Sequence, residues 1–398
     1  MRFAKWIGGG LLVLILGAAL VFFGNFYHEN SSNVSKSTKT SSSTTNSKIT
    51  SKSGIQVTGK ASDTEYKTVV KDGNYLVSKA RGVTSSENTS NAFNTTSFEN
   101  GLLEVAKNHF SPKSYIFQEG QYLSSATALN WLDRKSSTNS LGLNPTDNKK
   151  YDDSRAPIYL QTIEEQDFMT QDGNNLKLSG IVIGLAMNTQ DSYQKVQYGA
   201  TYTQDIAKAD MIAHGKTIAA EVIKRYRAMK SVGKDVPIVV AMYAQAKNDS
   251  LSGGSFYAWA QSKSGDSLGT WNGIDDATVV LPMQDGTTYA KAVATETNKS
   301  FVKFQDNIEG FFPNLSSVTA QAAFNGSTVK GMNVTVTTQF YSATEIQSFA
   351  NYISQVAPNY LPTNVPVQIR VQTSTGLQAL IVQQKNEKTY TVNIIGSY

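Results

Sequence analysis

Glu164, Glu165 and Asp167 fall within four consecutive positions, and Asp275 stands beside Asp276 later in the chain. Glycoside hydrolysis needs one carboxyl group as acid and a second as base or nucleophile, several ångströms apart. These residues, with Glu119 upstream, are therefore the material from which an envelope hydrolase could be built. Adjacent acids also form ordinary solvated faces, and sequence spacing does not give their separation in space. A lysine-activated serine would need a Ser-x-x-Lys pair. Such pairs occur at Ser192/Lys195, Ser300/Lys303 and Ser327/Lys330, a recurrence expected by chance in a chain rich in both residues and lacking any partner motif. No HExxH, GxSxG, GxGxxG or Walker-type loop is found. The absence of cysteine excludes disulfides, thiolate zinc sites and Cys nucleophiles, and three histidines in 398 residues do not suggest a metal site. His109 lies on an apolar helical stripe and reads as a core residue, while His214 reads as packing or surface. The sequence therefore predicts no metal and no cofactor.

Two segments mix aromatic rings, amides and isolated charges. One runs from Phe117-Gln118-Glu119-Gly120-Gln121-Tyr122-Leu123 to Trp131-Leu132-Asp133-Arg134, and the other from Tyr193 to Tyr202. That mixture suits a groove holding sugar or peptide through ring faces and hydrogen bonds. The candidate groove residues are Glu119, Tyr122, Trp131, Arg134, Gln194 and Tyr198. The same aromatics would equally well fill a core.

These segments sit among recognisable elements. Phe98, Leu102, Leu103, Ala106 and Phe110 recur at helical spacing, which predicts a helix capped at Ser97. A second helix is expected over Ser125–Arg134 and an exposed connection over Ser136–Lys150. From Pro157 the pattern becomes strand, turn, the β-rich run Leu178–Met187, a helix over Asp210–Met229, and the strands Val236–Tyr243 and Ser255–Ala260. Later the order recurs: Val318–Phe324, Met332–Phe340, a helix over Ala343–Val356, Val365–Val371 and Leu377–Gln383. In both copies the strand after the helix begins Val-Pro. The fold class is therefore α+β with a duplicated β-β-α-β-β unit. The segments are 56–150 as an N-terminal α+β part, 151–265 as the first unit, 266–315 as a connection and 316–398 as the second unit.

Ahead of this body, Trp6 to Phe23 runs without a charge. At about 1.5 Å per residue it is, as a helix, a minimal span that just crosses a bilayer core of about 30 Å. Arg2 and Lys5 precede it and the next charge is Glu29, so the positive-inside rule keeps residues 1–5 in the cytoplasm and the body outside. A cleaved signal peptide is the alternative, with small residues at Gly17-Ala18-Ala19. Residues 24–55, rich in Ser and Thr, cannot bury enough surface to offset their ordering entropy and read as a flexible stem. Residues 1–60 hold seven basic residues against Glu29, so the net charge of +5 belongs to the anchor and stem. A nearly neutral body offers no footprint for nucleic acid.

The ordered motifs FQEGQYL, WLDRK, GLNP, YQKVQYGATY, VPIVVAMY, EGFFPN and TVTTQFY, across about residues 75–395, resemble the CamS family of Gram-positive surface proteins, described as sex-pheromone lipoprotein precursors. The resemblance implies an extracytoplasmic, membrane-attached α+β body with no assigned activity, and a leader that in some members releases a short apolar mating peptide. Here Leu16-Gly17-Ala18-Ala19 occupies the lipobox, with Ala19 where the lipidated Cys should stand. Lipidation should therefore fail, and release of a peptide from Val13–Ala18 is in doubt. The resemblance transfers no catalytic residue. The leading expectation is a single-pass plasma-membrane protein, anchored through Trp6 to Phe23, that binds or presents a cell-wall glycan or peptide without cleaving it. The alternative is an envelope hydrolase using paired carboxylates.

Overall fold

The computed structural model describes residues 54–396, apart from 60–61, 88–92, 174, 249, 251, 284–287, 312–316 and 341. The predicted span Trp6–Phe23 and nearly all of the stem lie outside the described residues. Among the described residues no helix is long and apolar enough to cross a membrane. In chain order a short meander, β1 (Ile55–Val57), β2 (Lys67–Lys71) and β3 (Asn74–Tyr75), is followed by helix α1 (Thr95–Lys107), strand β4 (Ile116–Glu119) and helix α2 (Ser125–Leu132). Next come the long hairpin β5 (Leu160–Asp172) and β6 (Asn175–Met187) and the ribbon β7 (Gln190–Gln194) and β8 (Thr201–Asp205). Helix α3 (Lys208–Ala228), β9 (Ile238–Ala244), β10 (Ser255–Ser262) and β11 (Asn272–Gly273) complete this part. The remainder is β12 (Asp276–Leu281), α4 (Thr288–Phe311), β13 (Ser317–Asn325), β14 (Thr328–Thr337), α5 (Ala343–Val356), β15 (Val367–Thr373), β16 (Gly376–Gln383) and β17 (Thr391–Ile394).

A nine-stranded sheet has the order β1-β2-β4-β5-β6-β9-β10-β11, with β3 beside β2. Segment 56–150 and the unit 151–265 thus contribute strands to the same sheet. A six-stranded sheet has the order β12-β13-β14-β15-β16-β17. The two sheets follow one path. In the first, β4 and β6 flank β5 antiparallel, β6 pairs β9 in parallel across α3, and β10 returns antiparallel. In the second, β12 and β14 flank β13 antiparallel, β14 pairs β15 in parallel across α5, and β16 returns antiparallel. Both belong to one compact unit, Lys48–Tyr398.

Alternation along β6 sends its residues to opposite sides of the first sheet. Ile181, Ile183, Leu185 and Met187 pack with Trp131, Met211, Ile218, Val222 and Tyr226 on the side of α2 and α3. Val182 and Ala186 pack with Phe98, Leu102 and Phe110 on the side of α1. This α1 side is tight: a Cβ at Gly184 would lie 2.6 Å from Phe98, and one at Gly180 would lie 2.2 Å from Phe110. Asn94 caps α1, its side chain accepting from the Ser97 amide; the cap lies one turn ahead of the position that the apolar stripe predicts. Residues 266–315, read as a connection, contain β12 and the 24-residue α4. Ala294, Phe301, Phe304 and Ile308 of α4 are fully buried, with mostly polar residues between them, so its apolar stripe is too narrow to stand out in the sequence. In the second sheet α4 and α5 cover one face only, and β13 alternates strictly between buried and exposed residues.

Candidate functional site

The acids of β5 divide between the two faces of the sheet. Glu165 and Asp167 point toward α3 and are almost fully buried. Gly120 lets the chain after β4 pass against Glu165, since a Cβ there would sit 2.5 Å from the Glu165 Cβ. Three successive backbone amides then meet carboxylates. Gln121 donates to Asp167 Oδ2 at 3.0 Å, Tyr122 to Glu165 Oε1 at 2.7 Å and Leu123 to Glu165 Oε2 at 2.8 Å. The Tyr226 hydroxyl also donates to Glu165 Oε2, at 2.7 Å. Burial, then the neighbouring Glu165 charge, raises the Asp167 carboxyl well above the usual carboxylate range. The EGQYL segment is thus a backbone cradle for buried acids.

Glu164 points the other way, toward α1. Burial, reinforced by the charges of Glu99 and Glu119, pushes it up to about 8. Arg81 donates to both oxygens of Glu99, at 2.7 and 2.9 Å, and lies 3.9 Å from Glu119. Glu119 accepts from the Ser78 amide at 2.7 Å. Three acids therefore share one nearby guanidinium, and Glu164 keeps its proton near neutral pH.

A second polar network forms where the chain leads into β5. Asn144 is buried; its side chain accepts from the amides of Tyr159 and Leu160 and donates to the carbonyls of Leu132 and Leu160. Arg134 is 8% exposed and donates to Glu87 at 2.7 Å and to the carbonyls of Pro145 and Ala156. Arg155 donates to the fully buried Asp191 at 2.5 Å and to the Ser192 carbonyl at 3.0 Å, and its other terminal nitrogen lies 4.0 Å from Glu87. Burial lifts the Asp191 carboxyl above its ordinary value, and Arg155 offsets part of that shift.

A cleft of about 320 Å³ opens on this network, lined by Glu87, Asp147, Tyr151, Arg155, Tyr193 and Gln194 among others. Its wall is the β7–β8 ribbon, which pairs with neither large sheet. Tyr193 and Tyr202 stack at 5.7 Å, Arg155 lies 5.4 Å from the Tyr193 ring centre, and Lys195 lies 4.4 Å from that of Tyr202. At the ribbon's turn Tyr198 adopts φ +62° and is 90% exposed, with Val196 68% exposed beside it. An aromatic side chain in the left-handed region and in water is maintained against both backbone preference and the hydrophobic effect.

The six candidate groove residues do not converge on one surface. Gln194 lines the cleft, Arg134 supports it through Glu87, and Tyr198 stands at the tip of its ribbon. Glu119 belongs to the Arg81 cluster. Tyr122 gives its amide to Glu165, and burial, followed by the charges of Asp167 and Glu165, pushes its phenol up to about 12. Trp131 is a core residue, 6.0 Å from Tyr226 edge to face, with the Arg225 guanidinium 4.9 Å from its ring centre. His109 packs edge-on against Trp259 at 4.3 Å, and burial lowers its pKa. His214 stacks on Tyr159 at 3.8 Å. Among the described residues no group of His, Cys, Asp and Glu side chains is placed to hold a metal ion. Sequence reasoning missed Glu87, Asp147 and Arg155. The only signal was the charged stretch from Asp147 to Arg155, just ahead of Pro157 and the apolar run into β5.

The family described as CamS sex pheromone cAM373 precursor matches residues 75–389. The chain is similar to the crystal structure of a sex pheromone precursor from Lactobacillus salivarius subsp. salivarius UCC118, with 46% identity and a TM-score of 0.82 over 87% of this chain and 100% of that one. It is also similar to the C-terminal domain of the sex pheromone staph-cAM373 precursor from Staphylococcus aureus, with 28% identity and a TM-score of 0.66 over 78% of this chain and 99% of that one. No curated protein matches.

Proposed function

Because the chain belongs to the CamS sex pheromone cAM373 precursor family, we propose that it is a surface-displayed binding protein whose β7–β8 cleft takes a cell-wall glycan without cleaving it. The observation that carries this reading is the exposed aromatic ribbon beside a polar, charged cleft. Ring faces at Tyr151 in the cleft and at Tyr198 on the ribbon's tip, both exposed, suit the apolar faces of sugars, and Glu87, Arg155 and Gln194 supply donors and acceptors for hydroxyls. Full-length chain in detergent, titrated with defined cell-wall glycan fragments, should bind them intact, and Tyr198→Ala should weaken binding at least tenfold. Undetectable binding, or turnover of the fragments, would sink the proposal.

Three of the acids that the hydrolase reading would use are already engaged. Glu165 and Asp167 are enclosed by backbone amides, and Glu119 is engaged by Ser78 and Arg81. Residues 6–23 serve as the plasma-membrane anchor in this proposal, with the body outside and Ala19 replacing the lipidated Cys. Recovery of intact chain from the soluble cytosol would refute the anchor. The relatives are named as pheromone precursors, which makes the leader a candidate source of a peptide. Mass spectrometry of culture medium for fragments of Val13–Ala19 tests that separately.

A further inference from the structure

The charges around the β7–β8 cleft come in opposed couples. Glu87, in its lining, accepts from Arg134 at 2.7 Å and lies 4.0 Å from Arg155. Arg155 is itself compensated from within the protein by the buried Asp191. Asp147 holds Lys149 at 3.0 Å, and the hydrogen bonds from Lys149 keep its carboxyl below the usual carboxylate range. The side chain and amide of Ser154, and then the charges of Lys150 and Lys195, hold Asp152 below that range too. Beside it, Asp153 accepts from the Tyr193 hydroxyl at 2.9 Å. Among the described residues, anions and cations around the cleft are thus equal in number.

That balance bears on what the cleft can hold. Sites for polyanions carry an excess of Lys and Arg, because the ligand's charge must be neutralised as its water is lost. An anion entering this cleft would surrender hydration and find the cations already coupled to carboxylates, which costs free energy. An uncharged glycan meets no such penalty. A sugar hydroxyl donates and accepts at once, and coupled charges offer it both: Glu87 accepts where Arg155 donates, and Gln194 and Thr201 in the same lining add uncharged polar groups.

Resting on the glycan-binding reading of this cleft, we propose that it selects an uncharged glycan strand against the anionic polymers of a cell wall. Full-length chain in detergent, loaded with fluorescently labelled tetra-N-acetylglucosamine, is challenged with the unlabelled neutral tetrasaccharide or with tetragalacturonate, and displacement is followed by anisotropy. Displacement reads only the site that the two sugars share, so contacts of the anionic one with the basic stem do not register. Tetragalacturonate should compete at least tenfold more weakly. Affinity for the neutral probe should change less than twofold between about 0.1 M and about 1 M salt, over which the screening length shortens from about 10 Å to about 3 Å. Asp147→Asn leaves Lys149 uncompensated and should strengthen competition by tetragalacturonate about threefold or more at about 0.1 M salt, a gain lost at about 1 M. Equal competition by the two tetrasaccharides, or unchanged selectivity in Asp147→Asn, would overturn the proposal and leave the cleft a glycan site. Direct binding of tetragalacturonate that Tyr198→Ala abolishes, with none of the neutral probe, would do the same. Binding of neither sugar would instead remove the glycan reading itself.

Discussion

Replacing Glu164 with Gln should remove a large part of the protein's sensitivity to alkaline pH. The carboxyl group is 8% exposed and raised from an ordinary value of 4.5 to about 8, first by burial and then by Glu99 and Glu119. Between those two values the unfolded chain has lost this proton and the folded chain has kept it. Because the folded state binds more protons, stability falls as pH rises through the window. Integrating this single titration from about pH 5.5 to about pH 8.5 gives a loss of about 3 kcal/mol. Glu164→Gln keeps the side chain's shape and cannot ionise, so this contribution disappears. Urea denaturation of both proteins at the two pH values isolates it, since Asp167, also raised by burial, contributes to both and cancels in the difference. The wild-type loss should exceed that of the variant by about 3 kcal/mol. Equal losses would show that Glu164 is ionised in the folded protein, and the account of the Arg81 cluster would fail.

Three further outcomes follow from the packing and the polar networks. Glu165→Leu strands the amides of Tyr122 and Leu123 and the hydroxyl of Tyr226, which should cost about 3–9 kcal/mol in denaturant melts at about 1–3 kcal/mol for each unpaired group. Gly184→Val forces a side chain against Phe98 and Leu102 and should cost about 1–3 kcal/mol by overpacking, read as a lower urea midpoint with unchanged slope. Arg155→Met leaves the fully buried Asp191 without its cation and should cost about 3–5 kcal/mol, whereas Tyr198→Ala, at a 90% exposed site, should change stability by no more than about 0.5 kcal/mol. Similar losses in that last pair would refute the division between support and contact surface.

Elements with a wide apolar stripe or an unbroken branched run could be read from sequence alone. Helix Ala343–Val356 and the strand Ile238–Ala244 are such cases, and their order around the parallel crossovers follows from them. Helix Thr288–Phe311 escaped because only four of its described positions are fully buried while the rest is polar. The candidate groove was only partly legible for a related reason. Ring-and-amide composition looks the same whether the ring is solvent-facing like Tyr198 or enclosed like Trp131, and tertiary packing alone separates them. Arg155 and Asp191 lie 36 residues apart and carry no local pattern, so their pairing emerges only when the β7–β8 ribbon folds back over the entry to β5.

The uncovered face of the six-stranded sheet has a consequence for how the molecule behaves in a crowd. Gln321, Asn333 and Gln368 sit abreast on β13, β14 and β15, with Thr335 beside Arg370 in the next row. Neighbouring strands lie about 4.8 Å apart, so these side chains make a wettable corrugation over a platform that would otherwise invite a second layer. Exchanging a few of them for valine would turn a water-facing wall into adhesive, and chains displayed side by side would begin to stack.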